Sequence, residues 1–426
     1  MLNPDKAPEA VATEAAPAER PRPKATKSLL LLLVAVTGTG ALATNILLPA
    51  IPSMAIAFKS DSAFVQYTIS LFILGLGLSQ LVLGPLSDRF GRRAVMIGGF
   101  SLFAVSSIVA IFVDTIQGLI IARMVQAFGA ATGVVIGRAI IRDLVDRDRT
   151  ASLIGLVTSA MVISPLIAPV MGGFLDTFLG WHSIFVFIAS VGAVLLLWCV
   201  ISLPETAPPE SRSGGFAQFA ESVRVLCSNR AYIGYALTGS LSCGPYYVFI
   251  GAVPFLVISV LGQTSAEYGM WMVLSAIGYM AGTFTCSRLV LRHGLDKVIP
   301  WGLVILNLAT FACLIAVNLV PQHGMVITMA IFIANGFMTF GNGLVLPNTL
   351  AAAVSVRPKA AGAAAGIAGF TQMALGSVIA QGSSYLIVAF PSATTVAVLC
   401  IATTIASLLL FWLLVPHRPK DAPPLL

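Results

Sequence analysis

Charge is scarce in this chain: Asp, Glu, Lys and Arg make up 10% of its 426 residues, against about a quarter in an ordinary soluble protein. With 58% hydrophobic residues, it has more apolar surface than one aqueous core can bury, which excludes a soluble globular domain. Cysteine is sparse as well. The six (Cys199, Cys227, Cys243, Cys286, Cys313 and Cys400) are scattered, with no CxxC and no metal-ligand spacing. They are expected to be small buried apolar residues, with neither disulfide nor metal role. The four histidines (His182, His293, His323, His417) fall outside the long apolar runs or at the very edge of one, and none of the 17 acidic residues falls in the middle of one. No run holds a nucleophile–base pair or a metal cluster, which argues against an integral membrane enzyme, and no cofactor is expected. The net charge of +7 would suggest nucleic acid in a soluble protein. Here the basic residues sit in short segments between apolar runs, so the expected partner is the lipid bilayer and not nucleic acid.

What is present is a series of long apolar runs. A hydrocarbon core about 30 Å thick needs roughly 20 residues of helix to cross it. Twelve runs qualify: 29–51, 63–86, 94–113, 116–141, 151–174 and 181–203, then 231–261, 268–290, 298–320, 325–350, 360–390 and 393–415. The chain is therefore expected to be an all-α membrane protein of two six-helix bundles, 28–203 and 231–416. Residues 1–27 are rich in Ala, Pro and Glu and are expected to form a disordered tail, and 417–426 a second, short tail. The first apolar run continues past Ala41-Leu42-Ala43 to Ile51, which favours a retained helix over a cleaved signal peptide. Linker 204–230 contains Pro208-Pro209 and Gly214-Gly215, followed by Phe216, Phe219, Val223 and Leu226 at the spacing of a short amphipathic helix.

Lys and Arg fix the expected orientation. With the N-terminus in the cytoplasm, 21 of the 24 fall in the tails and in the loops on that side. The opposite side has only Lys59, while Arg123 and Arg138 lie within the fourth span. This bias places both termini in the cytoplasm. The halves also echo each other: a basic loop follows the second helix of each (84–93 and 288–294), and a Gly-rich fifth helix follows a basic loop in each. Weak six-plus-six symmetry of this kind is a property of transporter folds built from repeats.

The most specific segment is Gly84-Pro85-Leu86-Ser87-Asp88-Arg89-Phe90-Gly91-Arg92-Arg93. It places a turn, one carboxylate and three cations between the second and third helices. Gly91 supplies the positive φ that a tight turn needs, and Asp88 is suited either to cap a helix or to pair with a neighbouring Arg. The segment resembles the signature G-x-L-x-D-R-x-G-R-R/K of the major facilitator superfamily at every fixed position. Arg123, Gln126 and Gly129 in "ARMVQAFGAA" are similar to the family's R-x-x-Q-G segment, with Ala127 where a glycine often stands. "SPLIAPVMGG", holding Pro165, Pro169, Gly172 and Gly173, resembles its Pro/Gly-rich antiporter motif, with Ser164-Pro165 in place of Gly-Pro. "LLPAIPSM", "GRAIIRDL" and "GNGLVLPNTLAAA" are similar to the Bcr/CflA-type drug-resistance exporters. The resemblance implies twelve helices in two bundles, alternating access, and proton-driven export of amphipathic drugs or metabolites across a bacterial inner membrane. It implies a gating role for Gly84, Asp88, Arg89, Gly91 and Arg92, with the four Pro and Gly positions of the antiporter motif.

One departure bears on coupling. Many exporters of that branch carry an aspartate in the first helix where this chain has Asn45. Protons are then left to a carboxylate at a helix end, such as Asp88, Asp143 or Glu267, or to the substrate itself. The alternatives are an exporter of an anionic or neutral metabolite uncoupled from a core carboxylate, or a facilitator. Arg123 is either a cavity group for binding or coupling, or a cation satisfied by backbone carbonyls and amides such as Gln126. Arg138, four residues from Arg142, is expected to snorkel to the interface. Candidate substrate-binding groups are Asn45, Gln66, Tyr67, Arg123 and Gln126 in the first half, and Tyr246, Tyr247, Phe249, Trp271, Asn335, Asn342 and Gln372 in the second. Each has the rival reading of a packing group or an interhelical hydrogen bond. A small-molecule substrate, with protons as a second ligand, and a monomeric state are expected.

Overall fold

The computed structural model describes residues 26–144, 147–207, 215–321 and 324–415. The terminal tails, residues 145–146 and 322–323, and the middle of the linker lie outside them. The described chain is helical throughout, in twelve crossings. The first half comprises α1 (Lys27–Asn45), α2 (Tyr67–Phe90), α3 (Arg92–Ile111), α4 (Ile116–Leu144), α5 (Arg147–Leu179) and α6 (His182–Ser202). The second comprises α7 (Arg230–Ser242, continued as Gly244–Pro254), α8 (Ser265–His293), α9 (Leu295–Leu319), α10 (Met325–Ser355), α11 (Ala361–Ala389) and α12 (Ala393–Leu414).

The two halves use the same packing plan. α1 packs on α4 and α5, α2 and α3 on α4, and α3 on α6. Six helices on, α7 packs on α10 and α11, α8 and α9 on α10, and α9 on α12. The halves meet along two seams, α2 against α11 and α5 against α8. The end of the molecule with Lys27, Phe90 and the start of α7 is termed the basic end, and the other the opposite end.

Two expected spans are broken. α1 stops at Asn45, where the Asn45 amide bonds Ala41 O at 2.8 Å. The chain then turns through Leu48–Ala50 into a short helix, Ile51–Ala57. Pro49 and Pro52 have no N–H to continue the helical ladder. α7 is interrupted at Cys243 before Gly244-Pro245, and after Pro254 it widens into a π-helical stretch, Phe255–Val260. The segment expected as a sharp loop at 84–93 is also different. α2 runs straight through Pro85 to Phe90, and the turn is Gly91 alone, at φ +94°. The equivalent turn between α8 and α9 is Gly294, at φ +75°.

The linker helix, Gly215–Cys227, packs part of its apolar face on the protein. Its Val223 and Leu226 join a cluster with Tyr232, Ala364, Ile367 and Leu81, so it bridges both halves at the basic end.

Candidate functional site

At the basic end a single arginine organises the first half. Arg92 is 7% exposed. Its Nη1 lies 2.6 Å from Asp88 Oδ1 and its Nε 3.1 Å from Asp143 Oδ2. Asp88 thus pairs with Arg92 one turn on and caps no helix. The cap of α3 comes from Glu205, beyond α6: Arg92 N donates to Oε1 at 2.9 Å and Arg93 N to Oε2 at 3.2 Å. A carboxylate suits a helix N-terminus, and a Cβ on Gly91 would overlap it. Arg89 stands apart, exposed over the Phe90 ring at 5.4 Å. A Cβ at Gly84 would meet nothing within 4 Å.

At the opposite end the halves are in contact. Ser53 Oγ donates to Asp176 Oδ2 at 2.7 Å. Ser265 Oγ, from the other half, lies 2.6 Å from that same oxygen and 2.9 Å from Pro49 O, so its one proton serves one of the two. Asp176 is only 8% exposed. It counts as a helix-end acid in the sequence, and the structure seals it beneath the α5–α8 seam. Along that seam a Cβ on Gly173 would overlap Ser265 O, and one on Gly269 would overlap Pro169 O. Gly172 faces inward instead, against Ile46 O of its own half. On the other seam Gln381 Nε2 donates to Ala63 O at 2.8 Å and Ser377 Oγ to Ser70 O at 2.7 Å. The Gly-rich face of α11 is used for side chains more than for backbone contact: Gly369 makes room for Gln80 and Gly376 for the Tyr247 ring.

Between these ends lies a cavity of about 400 Å³. It begins near Asn45 and Ile250 and extends toward the basic end as far as Tyr235, Ala353 and Ala365. At its head Tyr246 OH donates to Asn45 Oδ1 at 3.1 Å, a bond between the two halves. Tyr247, Asn342, Gln372 and Pro165 also line it. Asn342 Nδ2 bonds Ser242 Oγ at 3.2 Å, and Gln372 Nε2 lies 3.4 Å from Cys243 Sγ. None of the described lining residues is Asp, Glu or His.

The other candidate binding groups are not among the described residues that line this cavity. Arg123 is fully buried inside the first half. It bonds Ala43 O at 2.9 Å, Thr68 O at 3.3 Å and the Gln126 amide oxygen, with the Phe72 ring 3.8 Å away. Gln126 in turn donates to Ser107 at 2.6 Å. The pair ties α1, α2, α3 and α4 together, which is the packing alternative for both residues. Gln66 is buried at the start of α2, and Tyr67 sits near Tyr385 (3.3 Å between hydroxyls) at the opposite end. Phe249 and Trp271 pack on Phe332, with ring centroids 5.9 and 6.1 Å away. Asn335 bonds Ser275 between α8 and α10.

Sequence reasoning missed Arg138, Gln80 and Tyr279, all of which line the cavity. Helical phase held the signal. On α4 the lining residues Ala131, Val134 and Arg138 recur at i, i+3 and i+7, one face of a helix. Phase alone does not separate the two arginines: Arg123, eleven residues before Val134, lies about 20° from it at 100° per residue, and it misses the cavity because it sits nearer the opposite end, enclosed by Ala43, Thr68 and Gln126.

A family model of the Major Facilitator Superfamily matches residues 33–380 and 235–425 of the chain. An uncharacterized transporter of Rickettsia felis is 30% identical over 387 residues, covering 88% of this chain and 94% of that one. Multidrug resistance protein D of Escherichia coli (strain K12) is 28% identical over 350 residues, 82% of this chain and 86% of its own. The bicyclomycin resistance protein homolog of Haemophilus influenzae is 26% identical over 337 residues, 79% of this chain and 83% of its own. In fold, the chain is similar to a crystal structure of a D-xylose-proton symporter, with a TM-score of 0.69 at 15% identity, over 92% of this chain and 98% of that one.

Proposed function

The chain belongs to the major facilitator superfamily, and on that footing we propose that it exports small amphipathic drugs or metabolites across a bacterial cytoplasmic membrane by alternating access. The observation that carries this reading is the cavity of about 400 Å³ between the halves, closed at the opposite end by bonds from both halves and extending toward the basic end. With the basic end in the cytoplasm, both termini are cytoplasmic and the cavity faces the compartment from which a drug would be removed. The names of two relatives, a multidrug resistance protein and a bicyclomycin resistance protein homolog, support drugs as a substrate class. Substrate would bind among Asn45, Tyr246, Tyr247, Asn342 and Gln372. Gating would use Asp88, Gly91 and Arg92 at one end, and Pro169 and Gly173 along the α5–α8 seam, with Pro165 at the cavity wall. The protein would act as a monomer.

Vesicles holding the purified protein and a fluorescent amphipathic drug test the export reading. Drug flux above that of empty vesicles, accelerated by an imposed pH gradient, is the expected result. Binding of the same drug with no flux would contradict it.

Proton antiport in this scheme does not run through position 45, because an amide does not titrate. Affinity for a neutral, non-titrating ligand is expected to stay flat between about pH 5.5 and 8, since no Asp, Glu or His is among the described residues that line the cavity. Asn45→Asp is expected to introduce a pH dependence by placing an acid against the Tyr246 hydroxyl. Binding measured across that range in both proteins checks the claim, and a steep wild-type profile would refute it.

A further inference from the structure

Arg138 is the one cation among the described residues that line the cavity, and no acid lines it with Arg138. The remaining polar lining is neutral: amides from Asn45, Gln80, Asn342 and Gln372, with serine, threonine and tyrosine hydroxyls. Arg138 lies six residues before the end of α4 at Leu144, well inside the helix. One turn further toward the basic end stands the exposed Arg142, whose Nη1 would lie 3.7 Å from a Cβ on Gly362 of the other half. A second positive charge therefore stands between the two halves, one turn beyond Arg138.

We propose that this cavity selects amphipathic organic anions, a carboxylate or sulfonate on an aromatic body, with Arg138 as the residue that sets that preference. The inference rests on the transporter reading and narrows its substrate class. A guanidinium stays charged at every physiological pH and presents a fork that matches a carboxylate with two parallel bonds. In a site walled by apolar groups its field is weakly screened, so a ligand anion gains a charge-assisted bond and a ligand cation meets repulsion. The arginines near the basic end add to this by raising the local concentration of anions. Arg138 already has an interaction within the protein, and a bound anion would join or replace it. The aromatic body fits the rest of the wall, where Tyr246, Tyr247 and Tyr279 gather. An arginine that served only to anchor α4 at a lipid interface would have no reason to share a face with Ala131 and Val134 on the cavity side.

A charge series on one ring system tests this: 2-naphthoate, 2-naphthamide and (2-naphthylmethyl)trimethylammonium, binding to the purified full-length protein. Naphthoate is expected to bind at least about tenfold more tightly than the amide, and the ammonium most weakly. Arg138→Gln is expected to erase the gap between naphthoate and naphthamide by weakening naphthoate more than naphthamide. Arg138→Lys, which keeps the charge without the fork, is expected to retain part of the gap and shows that the position tolerates substitution. Equal or tighter binding of the ammonium would overturn the proposal. So would an unchanged naphthoate preference in Arg138→Gln, or failure of all three to bind the wild type. Vesicle flux separates this inference from the export reading. Export of the ammonium without binding of naphthoate sinks the anion preference alone, whereas tight naphthoate binding without any flux sinks export alone.

Discussion

Replacing Asp88 by Asn is expected to cut transport by more than about tenfold while ligand binding remains measurable. The side chain is 44% exposed and lies 2.6 Å from Arg92 Nη1. Only the carboxylate is exposed, and the buried Arg92 keeps Asp143 as its counter-charge in the variant, so the variant is expected to fold. Its effect falls on the cycle. Arg92 is shared between Asp88 at the end of α2 and Asp143 at the end of α4. In the variant the guanidinium is left to Asp143, and the end of α2 loses its ionic tie to α3 and α4. Since α2 also forms a seam with the other half, its end is where closure at the basic end would be set. Transport and binding assayed side by side distinguish the cases. Normal flux in the variant would show that the pair is ornamental.

The second large effect is expected at Gly173. A Cβ there would overlap the carbonyl oxygen of Ser265 across the α5–α8 seam. Backbone offers no side-chain rotamer to relieve the clash, and overpacking of this kind costs about 1–3 kcal/mol. The cost falls only on the state in which the opposite end is shut. Gly173→Val is therefore expected to shift the population toward an opposite-end-open state by roughly tenfold or more and to weaken the Ser265–Asp176 contact. The neighbouring residue is an internal control. A Cβ on Gly172 meets Ile46 of its own half, so Gly172→Val is expected to lower the melting temperature without favouring either state. Exposure of a cysteine at position 53 to a water-soluble thiol reagent reads the difference.

The number and order of the helices were legible because crossing a bilayer demands long apolar runs, and each crossing contains one. The breaks in α1 and α7 were not. Their apolar runs continue unbroken through Asn45–Leu48 and Cys243, and hydropathy is blind to a change of direction inside such a run. The pairing of Asp88 with a nearby Arg was legible because both lie in one short segment. Glu205 was not, because its partners' amides at Arg92 and Arg93 are more than a hundred residues away in sequence. The arginines of α4 show the limit most clearly. Both are cations in one apolar helix, and depth alone favours Arg123 as the functional one. Which face of α4 meets the cavity is decided by the partners of that helix. With α1, α2 and α3 packed round it, Arg123 is enclosed by carbonyls and Gln126, and Arg138 is left on the side of the second half.

Alternating access is tested most directly by a distance between the halves at the opposite end. Spin labels on Ile56→Cys and Met325→Cys, both at exposed positions, in a protein whose exposed Cys227 has been replaced, would report it. Two populations are predicted: a short distance matching this closed opposite end, and a longer one whose share grows in Gly173→Val. A single short distance in both proteins would contradict the account.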